Sequence, residues 1–186
     1  MKLLIGITGK AGSGKDTVAD WLWERHGFLK LAFADPLKLA AEAIFGLPRE
    51  MFHNREKKEA VHPYWGKSPR ELLQLLGTEA TKPVFGEDIW LKRWLISYSM
   101  FKDSDPCVVP DVRFDLEAQY LRNIGGVILH LNRDAAGLVG STSNHASEQG
   151  VTPFPGDFGI DNNGSLKDLR GFTDLIVDRL TRRGDL

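Results

Sequence analysis

The sequence predicts an α/β fold in three layers, a mostly parallel central sheet of about five strands with helices on both faces. Short apolar runs at residues 2–8, 28–34, 107–110, 127–131 and 158–160 alternate with stretches of helical periodicity. A glycine-rich turn joins the first of these runs to the first helix. The chain length, 186 residues, suits a single domain that buries a core without covalent staples.

Each element has its own signal. Residues 2–8 read as a buried strand, and the helix at about 14–26 stops at Gly27. After the run at 28–34, Asp35 is expected to cap a helix that starts with Pro36, reaches about Phe45 and ends at Gly46. Residues 47–67 are polar and carry Pro48, Pro63 and Gly66, as a loop or short irregular helix would. Ser68-Pro69-Arg70-Glu71 is a capping box with proline in the first turn, opening a helix through Leu72, Leu73, Leu75 and Leu76. Asp88 is expected to cap a helix whose apolar side includes Ile89, Trp90, Trp94 and Leu95. The strand at 107–110 ends at Asp111; a helix at about 115–124 follows, stopped by Gly125-Gly126. Residues 134–156 are rich in Gly, Ser, Thr, Asn and Pro and read as a loop or closing lid. Ser165 caps the last helix, with Leu169, Phe172, Ile176 and Leu180 on one face. The expected division is a core of 1–34, 101–133 and 157–186, a helical region at 35–100 over the sheet's C-terminal edge, and the lid.

Composition narrows the function classes. A formal net charge of -1 argues against a DNA or RNA polymer as partner, which calls for a basic surface. Cys107 is the single cysteine, which rules out an internal disulfide and fits a reducing, cytoplasmic setting. The first six residues are too short an apolar run for a signal peptide, and no stretch has the length and apolarity to span a bilayer.

The strongest motif is Gly9-Lys10-Ala11-Gly12-Ser13-Gly14-Lys15-Asp16-Thr17, the G-x-x-x-x-G-K spacing of a phosphate-binding loop between strand and helix. Glycines let backbone N–H groups converge on phosphate oxygens, and the helix N-terminus favours anions. Lys15 brings a movable charge to the outer phosphates. A nucleoside triphosphate is therefore expected on Gly12, Ser13, Gly14, Lys15, Asp16 and Thr17. Asp16 stands where a hydroxyl residue is usual. It could serve Mg²⁺, directly or through water, or simply complement the helix dipole.

Ligands in open parallel sheets bind beyond the carboxyl ends of strands. Asp111 there is either a second Mg²⁺ position or a capping aspartate; Arg113 and Arg133 suit transferring or acceptor phosphates. Arg70 lies in a first helical turn, where a cation is mildly unfavourable, so it is either an acceptor-phosphate ligand or a solvent-exposed side chain. Gln74, one turn on, either reads a base edge or is solvated. Trp65, Phe85, Trp90 and Trp94 fit the core better than a base-stacking platform. His145 and Glu148 lack the neighbours that a metal site needs.

Taken in order, several stretches resemble the bacteriophage deoxynucleoside monophosphate kinases. They are Gly12–Thr17, 33–38 (Phe-Ala-Asp-Pro-Leu-Lys), 70–79 (Arg-Glu-Leu-Leu-Gln-Leu-Leu-Gly-Thr-Glu), 111–114 (Asp-Val-Arg-Phe), 145–148 (His-Ala-Ser-Glu) and 162–166 (Asn-Asn-Gly-Ser-Leu). The resemblance implies a nucleoside monophosphate kinase fold of the P-loop type, ATP and Mg²⁺ as cofactors, and a deoxynucleoside monophosphate substrate. It implies that Asp35, Lys38, Arg70 and Gln74 face the acceptor, together with Asp111 and Glu148. Arg133 then lies by the phosphates and Asn162 and Gly164 near the adenine. Lys15, Arg113 and Arg133 would carry catalysis, in the host cytoplasm if the gene is a phage's. A homodimer fits such enzymes. Two alternatives stay open: a P-loop kinase of the dephospho-coenzyme A or phosphomevalonate type, and a nucleotide-dependent switch, although the guanine signature Asn-Lys-x-Asp is absent.

Overall fold

A computed structural model describes residues 2–137 and 145–184, which fall into two compact units. The first comprises Met1–Ala32 and Ile96–Leu186; the second is Phe33–Leu95.

The first unit holds a five-stranded sheet of β1 (Leu4–Thr8), β2 (Leu29–Lys30), β3 (Cys107–Val109), β4 (Val127–Asn132) and β5 (Phe158–Asp161). The order is β2-β3-β1-β4-β5, with every described pairing parallel. All five residues of β1 are buried, as the central strand of a doubly covered parallel sheet requires. β2 is far shorter than residues 28–34, because its partner β3 spans only three residues. Past Lys30 one further bond, Leu31 N–H to Val108 O at 2.9 Å, closes the ladder.

Helix α1 (Lys15–His26) follows the glycine-rich loop and ends on Gly27 at φ +69°. The second unit carries α2 (Asp35–Phe45), α3 (Glu50–His53), α4 (Arg55–Glu59), α5 (Pro69–Gln74) and α6 (Lys82–Phe85). Helix α7 (Ile89–Phe101) runs across the division between units, and α8 (Asp115–Asn123) and α9 (Leu166–Gly184) lie in the first. Leu22 of α1 and Leu169, Val177 and Leu180 of α9 join Ile5, Ile7, Val108, Leu129 and Leu131 of the sheet in one buried cluster. Trp21 Nε1 donates to Asp174 Oδ1 at 2.8 Å, fastening α1 to α9. Helix α8 comes so close to β1 that a Cβ at Gly6 would lie 2.8 Å from Leu121 Cδ1. Ser165 caps α9 as expected, its Oγ accepting from Asp168 N–H at 3.2 Å. Phe172, however, is about half exposed, and Thr173 takes the buried place on that face.

Two expectations for the second unit need correction, and a third, short helical structure in 47–67, is met by two helices in place of one. Asp35 is the first helical residue of α2, not its cap; Ala34 holds that position, and the Asp35 carboxylate stands 3.5 Å from Lys38 Nζ. The polar stretch 47–67 contains two short helices, α3 and α4. The capping box at Ser68 forms, yet the helix does not continue as α through Leu75 and Leu76: Leu75–Ala80 is a π-helical segment. Side-chain donors engage its carbonyls. Thr81 Oγ1 donates to Leu76 O at 2.9 Å and Trp90 Nε1 to Gly77 O at 2.7 Å. A separate core of Ala41, Leu47, Phe52, Leu72 and Leu73 holds this unit together. Among the described residues, no helix is long and apolar enough to cross a membrane.

Candidate active site

The loop between β1 and α1 can be built only with glycine at its corners. Gly9, Gly12 and Gly14 have φ of +146°, +81° and +104°, a region that side chains rarely adopt. Space is as restrictive as backbone: a Cβ at Gly9 would lie 2.4 Å from Leu131 O, and one at Gly14 2.5 Å from Asn162 Nδ2. Ser13 is fully buried, and its Oγ has no hydrogen-bond partner. A buried polar atom left unmatched is costly unless a ligand completes it. Lys15 Nζ donates to Gly9 O at 2.6 Å and to Lys10 O at 2.8 Å, which holds the ammonium beside the loop. Asp16 is exposed in the first turn of α1 and Thr17 half-buried. Glycine-lined amides, an unmatched hydroxyl and a poised ammonium fit a bound polyphosphate.

The metal expectation was Asp16 and Asp111, and carboxylates suit a hard cation. Among the described residues no three His, Cys, Asp or Glu side chains converge on one point. Magnesium keeps several waters and takes phosphate oxygens alongside one or two carboxylates, which is the oxygen chemistry that Asp16 and Asp111 offer.

Sheet order brings other strand-end residues to the same edge. Val112 N–H donates to Ile7 O at 3.0 Å, so Asp111 follows β3 beside the C-terminal end of β1. Arg113 Nη1 donates to Ser147 O at 3.0 Å, linking it to the 3₁₀ turn Ala146–Glu148; of Glu148 only the backbone is described. Arg133 is exposed after β4, on the wall of a cleft of about 410 Å³ that also includes Thr8, Lys10, His130, Gln149 and Pro153. Of the expected lid 134–156, residues 138–144 lie outside the described residues. Asn162 Nδ2 donates to Ser13 O at 2.9 Å, a direct contact with the loop. Gly164 stands near Asp168, whose Oδ2 would be 3.0 Å from a Cβ at that position.

One constellation escaped the sequence reading. Asp157 accepts from Arg122 at 3.1 and 2.6 Å, from Phe154 N–H at 2.9 Å, and lies 2.9 Å from His130 Nε2. Burial would push the Asp157 carboxyl up, but the hydrogen bonds from Arg122 and His130 outweigh it and hold the group below the usual carboxylate range. The only signal was a histidine inside the apolar run Val-Ile-Leu-His-Leu. Its partners lie 27 residues downstream and, through Asp157, on α8.

In the second unit, Lys38 pairs with Asp35 while the neighbouring His53 is pushed down by burial, then by the charges of Lys38 and Arg49. A concentration of cations of this kind favours an anion. Arg70 is not solvent-exposed: only 8% of its surface is accessible, and Nε donates to Glu59 Oε1 at 2.7 Å. Gln74 is half-buried one turn away. Three of the four aromatics are committed to packing. Trp94 is buried against Phe33 at 5.3 Å, Trp65 Nε1 donates to Phe45 O at 3.1 Å, and Trp90 holds the π-helical segment. Phe85 is 62% exposed and does not join the core.

Comparison with known proteins points in one direction. A family model described as deoxynucleotide monophosphate kinase matches residues 49–171. A protein of Acanthamoeba polyphaga mimivirus, described as a deoxynucleotide monophosphate kinase, is 35% identical over 158 residues, 78% of this chain and 80% of its own. The deoxynucleoside-5'-monophosphate kinase of Escherichia phage T5 is 28% identical, covering 81% of this chain and 86% of its own. Among solved structures, one from Chloroflexus aurantiacus described as a kinase superposes with a TM-score of 0.53 over 96% of this chain and 97% of its own. At 13% identity, that likeness concerns the fold alone.

Proposed function

The chain belongs to the deoxynucleotide monophosphate kinase family and is a phosphotransferase acting on deoxynucleoside monophosphates; we propose that ATP with Mg²⁺ is its donor, bound at the glycine-rich loop. The observation that carries the donor assignment is the loop itself: positive-φ glycines that admit no Cβ, an unmatched Ser13 hydroxyl and the Lys15 ammonium.

In this reading an acceptor phosphate oxygen attacks the γ-phosphorus of ATP, and the bond to the β–γ bridging oxygen breaks. The products are ADP and the deoxynucleoside diphosphate. A phosphate monoester loses its second proton near pH ~6, so the nucleophile is already an anion and needs no strong base. The task left to the protein is to bring two anions together. Backbone amides of Gly12, Ser13 and Gly14 hold the triphosphate, Thr17 bonds an inner phosphate, and Lys15 neutralises the outer end. Arg113 and Arg133 offset charge on the transferring group, and the turn Asn162–Gly164 lies on the donor side. Asp35, Lys38, Arg70 and Gln74 receive the acceptor, Arg70 with its guanidinium oriented by Glu59. Asp111 and Glu148 complete the acceptor side. Asp16 and Asp111 would hold Mg²⁺, in part through water, and the metal would supply neutralisation of phosphate charge.

The deciding experiment is an acceptor panel read as ADP release. Deoxynucleoside monophosphates should be phosphorylated well above ribonucleotides, dephospho-coenzyme A and phosphomevalonate. Turnover confined to either of the last two would replace this assignment.

A further inference from the structure

We propose that Asn162 is a positioning residue for the phosphate loop, acting through the Ser13 carbonyl and not by touching the donor nucleotide. The inference deepens the kinase reading and rests on the loop's being a polyphosphate cradle.

Asn162 is gripped from two sides. Its N–H donates to Asn132 O at 2.7 Å, one residue beyond the register pair Asn132–Asp161, so its backbone is an extension of the β4–β5 ladder. Its Nδ2 then reaches Ser13 O at 2.9 Å. A rigid sheet edge thus fixes the direction of a loop carbonyl 149 residues away in sequence. The peptide between Ser13 and Gly14 is planar and trans, so its C=O and its N–H point in opposite directions. Turning the Ser13 carbonyl toward Asn162 therefore turns the Gly14 N–H away from it, into the loop. Gly14 is also the residue whose missing side chain makes the contact possible, since a Cβ there would sit 2.5 Å from Asn162 Nδ2. The demand for glycine at this corner is thus partly the room that Asn162 needs.

The neighbouring side chain does the same for the next segment. Asn163 Oδ1 accepts from Asp134 N–H at 3.0 Å, which fixes the turn that carries Arg133. Two adjacent asparagines at the end of β5 therefore hold the phosphate loop and the Arg133 turn to one strand end. A preorganised donor requires no reorganisation when the anion arrives, which is why a contact made behind the loop acts on phosphate.

The test compares inorganic tripolyphosphate with ATP, both with magnesium, by calorimetry on the full chain. Asn162→Asp removes the donor and sets a carboxylate oxygen against the Ser13 carbonyl; Asn162→Ala removes the donor alone. Both should bind tripolyphosphate about five- to tenfold more weakly than the parent, the worth of one lost hydrogen bond, and ATP should lose the same factor. If ATP weakens while tripolyphosphate does not, Asn162 contacts the nucleoside and the proposal fails. It fails equally if neither ligand moves beyond twofold, or if the parent ignores tripolyphosphate. Thermal melting shows which variants are folded, and one folded variant decides the matter. A parent that binds tripolyphosphate, with both variants weakened, but phosphorylates no deoxynucleotide upholds this inference while removing the acceptor assignment.

Discussion

Arg122 grips Asp157 at two points, Nε to Oδ1 at 3.1 Å and Nη2 to Oδ2 at 2.6 Å. The pair is mostly buried, and the same guanidinium donates to Thr152 O at 3.2 Å. Helix α8, strand β4 and the segment leading into β5 are thereby joined by a single carboxylate. Asp157→Asn should lower the unfolding free energy at pH 7 by about 3 kcal/mol, because it strands a largely buried guanidinium. The folded Asp157 titrates below its unfolded value of about 3.9. Its contribution is therefore complete at neutral pH and disappears as the pH falls through the acid range below about 4. Urea unfolding of both proteins from pH 7 to pH 3 should show their difference shrinking toward acid; a constant difference would contradict the assignment.

Lys15→Ala should abolish most phosphoryl transfer and leave the melting temperature nearly unchanged. Lys15 lies outside the buried apolar clusters, and its Nζ donates to the Gly9 and Lys10 carbonyls, so little core packing is lost with it. Because the proposed mechanism has Lys15 neutralising the outer phosphate, a fall of at least ~10²-fold in kcat is expected. Turnover near the parent's would dispose of the mechanism.

Arg133→Ala should lower kcat more than it raises KM for either substrate. The residue stands exposed on the cleft wall beside the loop, where the proposed mechanism has charge developing during transfer. An interaction made only in the transition state appears in kcat. Steady-state kinetics giving a pure KM effect would assign Arg133 to ground-state binding instead.

Gly9→Ala and Gly46→Ala should separate strain from crowding. Gly46 closes α2 at φ +63° with nothing within 4 Å of a Cβ, so alanine there costs about 1 kcal/mol. Gly9 has φ +146°, and its Cβ would strike the Leu131 carbonyl of β4 at 2.4 Å, a backbone atom that cannot step aside. The expected loss is about 3 kcal/mol or more, with phosphate binding gone. Chemical denaturation of the two variants checks the ordering.

What the sequence determined by itself was whatever depends on near neighbours. The strand–glycine loop–helix around Lys15, the capping boxes at Ser68 and Ser165 and the stops at Gly27 and Gly46 are all short-range chemistry, and each is legible in a window of a few residues. The family resemblance extended that reading to the fold and to the acceptor. The tertiary structure alone decided the strand order that sets β1 between β3 and β4, and with it which strand ends share an edge. It alone revealed that Arg70 is buried against Glu59, that Leu75–Ala80 departs from α geometry, and that Asn162 reaches the loop 149 residues earlier. Asp157 likewise gathers Arg122 and His130 from two different elements. The physical reason is common to all of them: a buried polar group takes whichever partner packing brings within about 3 Å, and sequence spacing carries no record of that distance.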